Sequence, residues 1–175
     1  TMYFPALLQA LNIEEFSVFG HSVGGAMALN IAALYRAKCK AVISQSAQAF
    51  VEDRTRQGIE KARAAFRDPQ QLERLRKWQG DRADWMLRAW TEVWLSPQYA
   101  NWQLKPVLLK VTSPCLVIHG DRDEYGSEAF PNTIAASVAG PVTKCILANC
   151  GHVPHRERPD EVLKLILDFL STTKI

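Results

Sequence analysis

The chain has 175 residues, 47% of them hydrophobic and 22% charged, with a formal net charge of +3. That length suits one domain large enough to bury a core, and the composition is that of an ordinary globular chain rather than a disordered or fibrous one. The apolar runs fall far short of a membrane span, which excludes a spanning helix.

Taken in order, Phe4 to Leu11 predicts a helix, with Pro5 in its first turn, Leu7, Leu8 and Leu11 on one face, and Asn12 as its stop. Phe16 to Phe19 predicts a buried strand. Gly20-His21-Ser22-Val23-Gly24-Gly25 follows, and then a run rich in alanine and leucine. This is G-x-S-x-G between a strand and a helix, where the turn holds the serine in a strained conformation. Gly20 and Gly24 are expected to make room where a Cβ would clash. The Ser22 hydroxyl would stand at a helix N-terminus, which favours developing negative charge. The Val23 N–H would face a substrate oxyanion. The helix is expected over Val23 to Ala37, with Lys38 and Lys40 at its C-terminal end, and a second strand over Ala41 to Ser44.

Composition changes from Phe50 to Lys110, where three helical patterns follow one another: Gly58 to Phe66, Pro69 to Gln79 and Asp81 to Leu95. All five tryptophans fall in this segment. Met86, Trp90, Val93 and Trp94 would share a helix face. Such a stripe is ordinarily core packing. The functional alternative is a helical cap in which Trp90 and Trp94 line an apolar substrate pocket above Ser22. Between Glu52 and Arg88 there are ten Lys/Arg and seven Asp/Glu, so this stretch carries the whole net charge. A solvated helical face accounts for it, and attraction of an anionic substrate is the other reading. Aromatic and basic residues do not interleave as in nucleic-acid motifs, so no nucleic-acid partner is expected.

Alternation of strand and helix resumes with a strand over Cys115 to His119, a helix over Ser127 to Val138 with Ser127 as N-cap, and a strand over Val142 to Leu147. A turn at Asn149-Cys150-Gly151-His152 follows, and then a helix over Pro159 to Leu170 that buries Val162, Leu165, Ile166 and Phe169. Strands separated by helices predict parallel βαβ units, an α/β fold with a mostly parallel sheet. Cys39, Cys115, Cys145 and Cys150 form no C-x-x-C pair. They read as free thiols of a reducing, cytoplasmic compartment, with a Cys145–Cys150 disulfide as the alternative. The start, Thr1-Met2-Tyr3-Phe4-Pro5, has neither a basic segment nor a small-residue cleavage site and reads as mid-domain sequence.

Catalytic groups of such a sheet belong just past the C-terminal ends of strands. Ser22 follows the first strand, Asp121 and Asp123 follow the third, and His152 follows the fourth. The order Ser, Asp, His is that of α/β-hydrolases. His21 neighbours the serine and is a candidate substrate contact, His119 ends a strand, and His155 lies in the loop after His152. These histidines lack ligand spacing with acidic partners, so neither a metal nor a cofactor is expected.

On Gly20-His21-Ser22-Val23-Gly24-Gly25, Pro114 to Asp123 and Cys150-Gly151-His152, the sequence resembles the α/β-hydrolase superfamily. The run Gly120-Asp121-Arg122-Asp123-Glu124-Tyr125-Gly126 is similar to that of a bacterial esterase-like branch. The resemblance covers the chain from the serine turn onward. It implies a catalytic triad of Ser22, His152 and Asp123, the acid being the aspartate three after the strand-ending glycine. Asp121 is the alternative acid, and otherwise a turn residue holding backbone N–H groups. The implied activity is hydrolysis of an ester, thioester or lactone through an acyl-enzyme, with the Val23 N–H in the oxyanion hole. Carbon–carbon bond hydrolysis of an anionic substrate by the same triad is the second reading. A non-catalytic interaction or signalling module is the third.

The resemblance also sets a departure. The family places several strands before the serine turn, whereas here one helix precedes it. The loop that supplies a second oxyanion donor would be absent. The strand at Phe16 would then form an open, apolar sheet edge. The expectation is a hydrolase fold truncated on its N-terminal side, with residues 1–49 and 111–175 as core and 50–110 as inserted cap. A homo-oligomer or a further N-terminal segment would cover the edge, and the chain alone would be weakly active or inactive.

Overall fold

In the computed structural model, which describes residues 3–173, four parallel strands form one sheet in the order β1-β2-β3-β4. The strands are β1 (Phe16–His21), β2 (Cys39–Gln45), β3 (Cys115–Gly120) and β4 (Val142–Leu147). The helices are α1 (Tyr3–Ala10), α2 (Val23–Leu34), α3 (Asp53–Ala65), α4 (Pro69–Gln79), α5 (Ala83–Leu95), α6 (Lys105–Leu108), α7 (Ala129–Ser137), α8 (Pro154–Glu157) and α9 (Pro159–Thr172). Single 3-10 turns sit at Gly80–Arg82 and Pro97–Tyr99.

The pleat sorts side chains to two faces with period two. Val42 of β2 and Cys115 and Val117 of β3 point to one face. There they pack with Leu29 and Ala32 of α2, Leu108 of α6, and Phe130 and Ile134 of α7. Ala41 and Ile43 of β2 and Leu116 and Ile118 of β3 point to the other, against Val162 and Phe169 of α9. Each fully buried Leu or Ile contributes about 1.5–3 kcal/mol. The run Ala26, Ala28, Ala32 and Ala33 lets α2 lie close to the strands. β1 is an edge of the described sheet and differs from β2 and β3. Phe16 and Val18 pack on the first face, but Phe19 on the second is 47% exposed. Leu7, Met27 and Leu34 on α1 and α2 are also exposed.

The elements agree with the sequence expectations in kind, and several bounds differ. β1 runs on through Gly20 and His21, because the register with β2 continues as Gly20↔Ser44 and His21↔Gln45. α2 stops at Leu34, three residues before Ala37, because Tyr35 leaves helical geometry at φ −116°, ψ 44°. Lys38 and Lys40 therefore do not sit in its last turn. Lys40 lies in β2 and pairs with Glu15 at 2.6 Å. α3 starts at Asp53, five residues before Gly58, and α7 starts at Ala129, two residues after Ser127. The Ser127 hydroxyl still accepts the Ala129 N–H at 3.3 Å. The short helices α6 and α8 had no signal in the pattern.

The helical segment leaves the sheet after Phe50 and returns at Gln103, where the two residues form an antiparallel bridge and the Leu104 N–H donates to the Ala49 carbonyl at 2.8 Å. The α5 face also differs from expectation. Ala83, Thr91 and Trp94 are buried, while Met86 and Val93 are exposed. Trp78 and Trp85 are exposed too, at 86% and 62%, so they belong to no core stripe. All four cysteines are free. No helix among the described residues is long and apolar enough to cross a membrane.

Candidate active site

β1 delivers Ser22 to the end of the sheet, and the next residue opens α2. Ser22 takes φ 57°, ψ −124°, a conformation that costs a non-glycine residue about 1–3 kcal/mol. Backbone bonds on both sides hold it: the Ser22 N–H donates to the Gln45 carbonyl at 2.8 Å, and the Ser22 carbonyl accepts the Gly25 N–H at 2.9 Å. The glycines share the task differently from expectation. A Cβ on Gly20 would collide with the Gly24 carbonyl. A Cβ on Gly24 would meet open space, so Gly24 is not the crowded position. Gly25 is, since a Cβ there would stand 2.9 Å from the Ala47 Cβ and 3.1 Å from the Gln45 carbonyl.

The Ser22 hydroxyl makes no capping bond to α2 and lies 2.9 Å from His152 Nε2. His152 Nδ1 lies 2.8 Å from Asp123 Oδ2. A carboxylate only accepts, so Nδ1 carries the proton there and Nε2 is left to accept from Ser22. Asp123 is 1% exposed, and its Oδ1 accepts the Tyr125 N–H at 2.8 Å. The structure thus brings Ser22, His152 and Asp123 into one chain of contacts. Asp121 stays outside it. Its carboxylate accepts the Cys150 N–H at 3.2 Å, and hydrogen bonds from the Asn149, Cys150 and Arg122 backbone hold it below the ordinary carboxylate range. A serine hydroxyl so placed can pass its proton to the imidazole as it attacks an electrophile. Val23 is the first residue of α2, where backbone N–H groups have no intrahelical acceptor.

The loop carrying His152 is clamped by two carboxylates. Glu157 accepts the Gly151 N–H at 2.7 Å and the Val153 N–H at 3.0 Å, and Glu124 accepts the His152 N–H at 3.2 Å. His21 Nε2 donates to the His152 carbonyl at 2.7 Å, and its ring lies 5.0 Å from that of His152. Burial, with a smaller effect of the neighbouring His152 and His155, lowers the pKa of His21 despite that hydrogen bond. His119 is buried, donates to the Gly126 carbonyl at 3.2 Å and stands 3.8 Å from Asp123. Burial lowers its pKa too, against the pull of Asp123. His155 donates from Nδ1 to Gln45 Oε1 at 2.6 Å. Burial raises the Cys150 thiol to about 11, so it is no competing nucleophile.

A cavity of about 330 Å³ opens on Ser22 and His152. Trp90 and Trp94 of α5 and His21 line it, as the sequence suggested. The cavity also takes in Gln48, Thr55, Ile59, Glu124 and Tyr125, which the pattern did not single out. Glu124 and Tyr125 had a signal in that they directly follow Asp123, whereas Gln48 and Thr55 had none. Tyr125 makes edge contacts with Trp90 and with His152, at 5.9 and 4.7 Å between centroids. Burial, then the charges of Glu124 and Asp123, raises its phenol. The Thr55 hydroxyl donates to the Tyr125 carbonyl at 2.7 Å, and Glu52 accepts from the Ser127 N–H and hydroxyl at 2.6 and 2.9 Å. These bonds tie α3 to the loop that carries Asp123. Among the described residues no group of three or more His, Cys, Asp or Glu is placed to hold a metal ion.

The profile described as the alpha/beta hydrolase family matches residues 4–165. The chain belongs to the alpha/beta hydrolase family. Solved structures agree on the fold. A bacterial membrane phospholipase A is 22% identical with a TM-score of 0.77, and the match covers 96% of this chain and 60% of that one. A serine hydrolase involved in carbazole degradation is 22% identical with a TM-score of 0.74, covering 97% and 69%. A meta-cleavage product hydrolase from Pseudomonas fluorescens IP01 is 18% identical with a TM-score of 0.69, covering 95% and 68%. No curated protein matches. This alpha/beta hydrolase chain spans about three fifths of the length of the phospholipase it resembles, and its described residues form a four-stranded parallel sheet of that fold.

Proposed function

We propose that the protein is a serine hydrolase acting on a carboxylic ester, thioester or lactone, with Ser22 as nucleophile, His152 as base and Asp123 as its orienting acid. The observation that carries this reading is the pair of contacts at His152, 2.9 Å to Ser22 Oγ and 2.8 Å to Asp123 Oδ2, beneath a cavity. In this reading Ser22 Oγ bonds to the carbonyl carbon while its proton passes to His152 Nε2. The tetrahedral intermediate collapses, and the leaving alkoxide takes that proton. Water then attacks the acyl-enzyme, giving its proton to His152, and Ser22 leaves with it. Asp123 stabilises the imidazolium without itself becoming protonated. The Val23 N–H donates to the oxyanion, and removing one such donor typically costs about 100- to 1000-fold in rate. Helices α3 to α5 act as a cap, with Trp90, Trp94 and His21 as substrate contacts.

The carbon–carbon reading uses the same three residues. Its anionic substrate would meet the Glu124 carboxylate, which argues for the ester reading. Short-chain nitrophenyl esters test the proposal. Their hydrolysis should show a burst of about one nitrophenol per chain, which Ser22→Ala abolishes. Equal turnover by parent and variant would overturn it.

A further inference from the structure

We infer that the cavity at Ser22 is built for a substrate carrying a protonated amine on its acyl side, an amino-acyl ester rather than a simple or acidic one. The inference rests on the serine-hydrolase reading of the same cavity and goes beyond it by naming the charge class of the substrate.

Three observations converge. Glu124 is the one Asp, Glu, Lys or Arg among the described residues that line the cavity. It forms no ion pair with a Lys or Arg among the described residues, and only its Oε2 is engaged, by the His152 N–H. None of the ten Lys/Arg between Glu52 and Arg88 reaches the cavity, so the basic stretch does not make it a site for anions. Gln48 also lines the cavity, but its Oε1 is enclosed by protein and closed to a ligand. Its Nε2 is turned to Ser22 Oγ at 3.5 Å. Finally, Trp90, Trp94 and Tyr125 present aromatic surface to the same space. An ammonium supplies what these groups lack at once: charge for Glu124 and a cation for the aromatic faces. A carboxylate would find no cation and one like charge, and an alkyl group would leave the Glu124 carboxylate unanswered.

Glu124 is exposed, so its pull is moderate and screened by salt. Together with the aromatic faces it should give roughly tenfold discrimination between a cation and its neutral isostere.

Binding to the Ser22→Ala protein tests this without turnover, so it remains informative if the esterase reading fails. The probes are benzyl 4-aminobutyrate, its neutral isostere benzyl pentanoate, and the anionic monobenzyl succinate, each followed by tryptophan fluorescence and calorimetry. The aminobutyrate should bind about tenfold tighter than the pentanoate and the succinate weakest of all, with the first ratio narrowing in high salt. Glu124→Gln, which keeps an acceptor for the His152 N–H, should reduce the ratio to about twofold. Glu128→Gln removes a charge from the same loop without lining the cavity and should leave the ratio unchanged. Pentanoate or succinate binding as tightly as the aminobutyrate overturns the inference. So does an equal fall of the ratio in both variants, or no binding of any probe.

Discussion

Two regions of this chain are held in different ways. At the ends of the strands, Ser22, Asp123 and His152 sit on backbone that is fixed several times over. Backbone bonds at Gln45 and Gly25 pin Ser22, the Tyr125 N–H pins Asp123, and Glu157 and Glu124 hold three successive N–H groups around His152. Within the segment between β2 and β3, the helices above the cavity, α3 to α5, are tied to that backbone mainly through α3, by Thr55 and Glu52 and by the approach of Gly58 to the Glu124 carbonyl, where a Cβ would stand at 2.6 Å. α4 buries no residue at all. The contrast separates chemistry from selection. The reacting groups tolerate no shift, whereas the wall that chooses a substrate is held mainly through α3.

The largest effect should come from the fixed region. Asp123→Asn keeps the shape but changes which imidazole nitrogen carries the proton. Initial rates should fall by about 10⁴-fold with little change in fold by circular dichroism. A fall of less than tenfold would mean that Asp123 does not orient His152.

Next, two glycines four residues apart should respond oppositely. Gly20→Ala forces a methyl into the Gly24 carbonyl and should cost at least about 2–3 kcal/mol in denaturant unfolding. Gly24→Ala meets open space within a helix and should gain about 0.5–1 kcal/mol. Equal penalties would break the account of the turn. In the loosely held region, Trp90→Ala removes cavity wall without touching Ser22 or His152. KM should rise about tenfold with kcat within about threefold, because the lost contact is made in ground and transition states alike.

The smallest effect concerns pH. Burial lowers the pKa of His119 and of His21 below the ordinary value near 6.5. The unfolded chain therefore binds protons below pH 6.5 that the folded chain refuses, so stability falls as pH drops through that value and is flat above it. His119→Gln should flatten the slope between pH 7 and 5 in urea titrations.

Much of this arrangement was legible from order and spacing. Ser22, Asp123 and His152 each follow a strand end, and the hydrolase sheet places such positions side by side. The parallel sheet followed from strands alternating with helices. The packing partners were not legible. Gly25 rather than Gly24 is crowded because Ala47, beyond β2, folds back against it. The pattern starts a helix at Gly58, yet Gly58 lies inside α3, where the Asp123 loop passes against it. Met86 and Val93 share the helical spacing of Trp90 and Trp94, but α5 packs on α3 and α4 rather than on the sheet, and that packing leaves Met86 and Val93 exposed. Gln48 lies outside any motif, and only the fold turns it toward Ser22.

The central claim is that Ser22 is an activated nucleophile, and covalent labelling tests it most directly. A fluorophosphonate probe followed by intact mass and peptide mapping should give one adduct per chain, on Ser22. The adduct should be absent in Ser22→Ala and greatly slowed in His152→Ala. An unlabelled parent protein, or an adduct that persists in Ser22→Ala, would contradict the account.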